Sequence, residues 1–174
     1  MRTIAAVLAF LVLIPAAYGE SFVSNKYGFS AEFPSQPSVG IPQGSETDAS
    51  GKFVSQSVNI MAESQGVYTA MVTVDSYTVP VKIDASPTLT AMVRSFVAQL
   101  DAVATSSKPG KLEGRPARFF TYATADRSIA GSGIVVLVPS KKPRIYMIVT
   151  MHTPLASDGQ IAALDKFLKS FQFE

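Results

Sequence analysis

The stretch that decides the fold is SPTLTAMVRSFVAQLDAV, residues 86–103, which carries the clearest helical pattern in the chain. Ser86 can cap a helix, and Pro87 suits the first helical position. Apolar residues then recur at spacings of three and four, which places them on one face of the helix. They are Leu89, Met92, Val93, Phe96, Leu100 and Val103. The pattern predicts an amphipathic helix, and Lys-Pro-Gly at 108–110 marks the end of the segment that contains it.

Strand-like segments lie on both sides of the helix. Residues 68–75 alternate apolar with polar side chains, which is the period of two expected of a half-buried strand. Similar segments predict two strands within 22–33, joined near Gly28, and single strands over 53–62, 67–79, 111–124, 132–138 and 144–151. Residues 34–51 are rich in Pro, Ser, Gly and Gln and predict a long mobile loop. A closing helix is predicted over 158–171.

The order of these elements predicts the fold class. Strands joined by short turns are antiparallel, and two amphipathic helices need a sheet to cover their apolar faces. We therefore expect an α+β fold in the order ββββ-α-βββ-α, an antiparallel sheet flanked by two long helices in an α/β/α sandwich.

The N-terminus has the layout of a secretory signal peptide. Arg2 precedes an apolar run from Ile4 to Ile14, Pro15 breaks the run, and small residues precede Glu20. The run falls short of the ~20 residues that span a bilayer, although an uncleaved anchor remains the alternative. We expect a signal peptide over residues 1–19, cleavage near Gly19–Glu20, and one domain over residues 20–174 without a transmembrane segment. The protein would then be periplasmic or secreted.

The composition excludes several kinds of chemistry. The 174 residues include one His, no Cys and no Trp, so thiolate metal sites, cysteine nucleophiles and lipid-anchoring cysteines are impossible. The formal charge of +2 is close to neutral, which argues against a nucleic-acid partner.

Possible catalytic and metal-binding patterns are weak. Gly131-Ser132-Gly133 precedes an apolar strand and not a helix, so it predicts a turn and not a phosphate cradle. Met147 and Met151 share a strand parity that His152 does not, so these three side chains cannot converge on copper without a bulge. The acidic pairs 46/48 and 158/165 are explained by a solvated loop and a helix start. The sequence predicts no catalytic residue, no metal site and no cofactor.

Charge is unevenly placed along the chain. Residues 108–144 carry eight basic side chains and two acidic ones, and aromatic residues are interleaved with them. This segment could bind an anionic ligand or a partner, or its cations could simply be solvated at strand ends and turns. The candidate binding residues are Arg115, Arg118, Tyr122, Arg127, Arg144 and Tyr146.

Four short segments resemble the PsbP-like superfamily and its small exported bacterial relatives. They are YGFSAEFP at 27–34, LEGRPA at 112–117, RIY at 144–146 and DKFLKSF at 165–171. The resemblance implies an α/β/α sandwich around an antiparallel sheet. Its plant members are accessory subunits of photosystem II, a nuclear-import protein of the same fold binds the GTPase Ran, and most bacterial members have no assigned activity. The family has no common catalytic motif, so the resemblance implies no catalytic residue here.

These observations favour a non-enzymatic, exported accessory or protein-interaction module of the cell envelope, with an envelope protein as its partner. The alternative is a binder of a small anionic or lipidic ligand between helix and sheet. An enzyme is the least favoured reading, because no constellation of residues fits a reaction.

Overall fold

The computed structural model describes residues 19–174. Within them the chain forms eleven strands and two helices. The elements are β1 (Glu20–Ser24), β2 (Phe29–Phe33), β3 (Ser38–Val39), β4 (Gln43–Thr47), β5 (Phe53–Ser64), β6 (Tyr68–Tyr77), α1 (Ala85–Gln99), β7 (Ala102–Leu112), β8 (Arg115–Thr124), β9 (Ala130–Val138), β10 (Arg144–His152), α2 (Asp158–Ser170) and β11 (Gln172–Phe173). Residues 1–18 of the predicted signal peptide lie outside the described residues.

The strands form two sheets. The large sheet has the order β3-β5-β6-β10-β9-β8-β7, and β4 also pairs with β5. The small sheet has the order β1-β2-β11. Every strand pair is antiparallel. No helix among residues 19–174 combines the length and the apolar character needed to cross a membrane.

The predicted fold class is wrong in its strand order and its layers. Six strands precede α1 instead of four, four strands follow it instead of three, and β11 comes after α2. The molecule is mostly β and contains two sheets, so it is not one sheet flanked by two helices. One face of the large sheet packs against α1, whereas α2 covers the other face together with the small sheet.

The largest single error concerns β7, which the sequence pattern assigns to the end of the helix. The helix ends at Gln99, Leu100 caps it, and Asp101 adopts a φ of 51° that turns the chain. Val103, placed on the helical stripe by its spacing, is 65% exposed on β7. This strand lies at the sheet edge, where polar residues, Pro109 and Gly110 are tolerated, so it lacks the alternation that identifies strands.

Two further boundaries differ for related reasons. The predicted mobile loop at 34–51 contains the short strands β3 and β4, which are exposed along their length. The predicted strand over 111–124 is divided by a hairpin turn, in which Glu113 and Gly114 have φ values of 48° and 79°. The Gly131-Ser132-Gly133 segment lies inside β9 and does not form the predicted turn.

Glycine is required in β9 by the rings that cross it. A Cβ atom at Gly131 would lie 1.9 Å from the Thr150 carbonyl oxygen and 2.7 Å from the Tyr122 hydroxyl. At Gly133 it would lie 2.5 Å from Cζ of Phe120. The glycines therefore allow two aromatic rings of β8 to lie against the neighbouring strand.

Each face of the large sheet has its own core. The α1 face buries residues from the helix and from β8, β9 and β10, including Val93, Tyr122 and Val149. The α2 face buries Phe29 and Phe33 of the small sheet with Phe167 and Phe171, whose rings stack or tilt against them. Helix α2 is held at its start by a capping box between Ser157 and Gln160.

Candidate functional site

Basic side chains gather at one end of the large sheet. The antiparallel order places the last residues of β7 and β9 beside the first residues of β8 and β10. We call this region the basic end, and its cations are Lys111, Arg115, Lys141, Lys142 and Arg144. Five of the eight basic residues between 108 and 144 are therefore brought together by the topology, although they are spread along the sequence.

A cavity of about 300 Å³ opens at the basic end. We call it the basic cavity, and three of the six sequence-predicted candidates line it, namely Arg115, Arg144 and Tyr146. Its remaining lining residues are Gly28, Val138, Ser140, Lys142, Phe173 and Glu174. Three cations thus face one carboxylate side chain, which gives the cavity an excess of positive charge.

Arg144 and Tyr146 are fixed by the turn between β1 and β2. The Tyr146 hydroxyl donates a 2.5 Å hydrogen bond to the Tyr27 carbonyl oxygen, and Arg144 Nη1 donates a 3.2 Å bond to the same atom. Gly28 holds that turn with a φ of 70°, as its sequence position predicts. The two side chains therefore fasten the small sheet to the large one, and the Arg144 guanidinium keeps further N–H donors.

Arg115 is fixed in a different way. Its Nη1 lies 3.2 Å from Glu113 Oε2, and its guanidinium lies 4.1 Å from the ring centroid of Phe173. Glu113 Oε1 also accepts a 3.3 Å hydrogen bond from the Phe173 backbone N–H. The pair thus clamps β11, while the Arg115 side chain remains 31% exposed.

Lys142 and Arg144 supply the uncompensated charge of the basic cavity. The ion pairs among the described residues join Arg115 to Glu113 and Lys166 to Glu32, and neither involves Lys142 or Arg144. Lys142 is exposed on the turn between β9 and β10, and Arg144 is half-buried at the start of β10. An anionic group entering the cavity would meet both cations without first breaking one of the ion pairs of the described residues.

The other three sequence-predicted candidates lie elsewhere. Arg118 shares a strand parity with Tyr122 and donates a 3.1 Å hydrogen bond to the Ser107 hydroxyl. Tyr122 is 1% exposed, donates to the Thr150 carbonyl oxygen at 3.0 Å, and has a pKa raised by burial. Arg127 lies in the turn between β8 and β9, at the sheet end opposite the basic end, with a φ of 58°.

His152 lines a separate cavity of about 400 Å³ with Ser132 and Asp165. These residue types could form a nucleophile relay, but a relay requires hydrogen bonds between them. The hydrogen bond that the structure gives His152 joins Nδ1 to the Thr153 carbonyl oxygen at 3.4 Å. Among the described residues, neither Ser132 nor Asp165 forms a side-chain bond to the imidazole, and no group of three His, Asp or Glu could hold a metal ion.

A groove between α1 and the large sheet was missed by sequence reasoning. It has a volume of about 390 Å³, and we call it the methionine groove because Met71, Met92 and Met147 line it. Its other lining residues are Ser57, Asn59, Thr73, Ser95, Phe96 and Gln99. The register between β6 and β10 runs without a bulge from Arg144 to His152, so Met147 and Met151 do face α1 while His152 faces α2.

Comparison with known proteins gives one kind of match. No protein-family model and no curated protein sequence matches the chain. The fold is similar to the solution structure of cyanobacterial PsbP (CyanoP) from Synechocystis sp. PCC 6803, at 11% identity and a TM-score of 0.45. The match covers 96% of this chain and 99% of that chain. The match is a likeness of fold alone.

Proposed function

We propose that the protein is a non-enzymatic accessory module of the cell envelope that binds an acidic segment of a partner protein at its basic end. The observation that carries the proposal is the placement of five cations at one sheet end, three of which line a cavity of about 300 Å³. The signal-like N-terminus supports export to the periplasm or beyond.

The basic end combines fixed and mobile cations. Arg115 and Arg144 are held by contacts to β11 and to the β1–β2 turn, so little side-chain entropy is lost when they bind an anion. Lys141 and Lys142 project from a turn and can adapt to the path of an acidic peptide. A fixed pair beside flexible cations suits a protein segment with several carboxylates.

The second candidate is a small anion in the basic cavity itself. The methionine groove is the space that lies between helix and sheet, but none of its lining residues is charged. The basic cavity, which lies between the large sheet and β11, offers two arginines and a lysine. A phosphate or carboxylate ligand is therefore better suited to the basic cavity than to the predicted position.

Binding of a fluorescent peptide of alternating Glu and Ser tests the first proposal. We expect Lys141→Glu/Lys142→Glu to weaken binding at least about tenfold in fluorescence anisotropy, which is ~1.4 kcal/mol. The control Arg94→Glu/Arg127→Glu makes the same change in net charge at exposed positions on α1 and in the β8–β9 turn, away from the basic end. Equal weakening by both variants would mean that only the total charge matters and would refute the proposal.

Thermal denaturation with inorganic phosphate and citrate tests the second candidate. A ligand that binds only the folded state raises the melting temperature. We expect an Arg144→Gln variant to lose any such rise, and sodium chloride at equal ionic strength to cause none. If neither anion raises the melting temperature of the unaltered protein while the acidic peptide binds, the cavity serves the partner alone.

A further inference from the structure

All the methionines after Met1 lie on one side of the large sheet. The sequence contains six methionines. Met61 pairs with Met71 in the register between β5 and β6, and both alternate with residues buried on the α2 face. Met147 and Met151 pack into the core beneath α1, and Met92 belongs to α1 itself. Four of these flexible thioether side chains, all but that of Met61, are therefore concentrated where the helix meets the sheet.

Three of these methionines converge on one space. Met71, Met92 and Met147 come from β6, α1 and β10 and line the methionine groove together. Met147 is paired with Thr73, so Met71 is its diagonal neighbour on the same sheet face, within reach of long side chains. Met92 approaches from the helix above. All three are half-buried, so solvent reaches the groove.

We propose that Met71, Met92 and Met147 form a binding site for a soft monovalent metal ion, Cu(I) in a biological setting. Thioether sulfur is a soft ligand that selects Cu(I), whereas hard divalent ions require oxygen ligands. Each methionine has three rotatable side-chain bonds, so its sulfur atom can turn toward the space that the three side chains share. None of the groove-lining residues is ionisable, so neutral ligands would surround an ion of single charge.

The groove also differs from an ordinary buried core. A core that buries methionines only as filler closes over them with apolar atoms. Here a volume of about 390 Å³ remains beside the three side chains, and Ser57, Asn59 and Gln99 form part of its wall. These polar side chains leave a path for an ion from water to the thioethers. This site is on a different face from the basic cavity and is independent of the proposed function.

Titration with Ag(I), a redox-inert substitute for Cu(I), tests the site in protein labelled with ¹³C at the methionine methyl groups. We expect one equivalent of Ag(I) to shift three methyl resonances, assigned by substitution to Met71, Met92 and Met147. Replacement of any of the three by Leu should weaken binding at least about tenfold, as loss of metal-site partners does. Competition with a chromophoric Cu(I) chelator should give the same order of variants.

Met151→Leu is the matched control. Met151 lies four residues beyond Met147 on β10, roughly 13 Å away along an extended strand, and does not line the groove. Leucine conserves volume well enough for the fold to persist, and circular dichroism checks this; Met92→Leu, on the helix, serves if a strand variant unfolds. Absence of Ag(I) binding, or equal weakening by Met151→Leu and Met71→Leu, would overturn the proposal.

Discussion

Replacement of Gly131 by Ala should destabilise the protein severely, although only one methyl group is added. The new Cβ would lie 1.9 Å from the Thr150 carbonyl oxygen, a backbone atom that cannot rotate away. It would also lie 2.7 Å from the Tyr122 hydroxyl, which donates a 3.0 Å hydrogen bond to that same carbonyl oxygen. The methyl group would therefore push β9 away from β10 and would also break the buried hydrogen bond between Tyr122 and Thr150.

The size of the effect follows from these two contributions. Overpacking a close-packed interior costs about 1–3 kcal/mol. Leaving a buried hydroxyl or carbonyl without its partner costs about 1–3 kcal/mol more. We expect a loss of about 3–5 kcal/mol in the free energy of unfolding, which lowers the melting temperature by roughly 6–20 °C in a protein of this size.

Urea and thermal denaturation, followed by circular dichroism, would measure this loss. Gly66→Ala is the control, since Gly66 has a φ of 71° and no atom within 4 Å of its hypothetical Cβ, so only backbone strain of about 1–2 kcal/mol applies there. Tyr122→Phe in the Gly131→Ala background removes one of the two clashing groups and should cost less than the sum of the two single changes. A Gly131→Ala variant within about 0.5 kcal/mol of the unaltered protein would refute the close-packing argument.

Two further predictions concern the basic end and the β8–β9 turn. Tyr146→Phe removes the hydroxyl that binds the Tyr27 carbonyl oxygen, so it should lower the free energy of unfolding by about 0.5–1.5 kcal/mol; an unchanged urea midpoint would contradict this. Hydrogen bonds from the Ser128 backbone, Thr124 and the Ser128 hydroxyl lower the pKa of Asp126 from 3.8 to about 2. The contribution of Asp126 to stability is therefore complete above pH 3.8 and is lost as the pH falls toward 2. Asp126→Asn should reduce the acid dependence of the melting temperature over that range. An identical acid profile for the variant and the unaltered protein would contradict this prediction.

Sequence patterns found the elements that have one buried face. β6 alternates as predicted because its even-numbered residues, such as Val72 and Val74, enter the core beneath α2. Helix α2 was found from its apolar stripe and its acidic start. The pattern failed for β7, β3 and β4, which lie at sheet edges and bury few side chains. Edge strands are held by backbone hydrogen bonds, which leave little trace in the order of side chains.

The candidate sites, like the strands, could be predicted only in part from the sequence. The excess of cations between 108 and 144 was visible in the sequence, but their gathering at one end depends on which strand ends are neighbours. The methionine groove was not visible, because Met71, Met92 and Met147 lie on three separate elements without a common spacing. Their shared face could be identified only from the register of β5, β6 and β10.

The small sheet has a consequence for the order of folding. It joins β1 and β2 to β11, so Ser30 pairs with Gln172 across nearly the whole chain. Phe29 and Phe33 find their aromatic neighbours Phe171 and Phe167 on the same distant segment. The polypeptide cannot complete this sheet until residue 173 is available, and closing so long a loop is entropically costly. The first strands of the chain, β1 and β2, are thus among the last to reach their final surroundings, after the hairpins of the large sheet have had the opportunity to form.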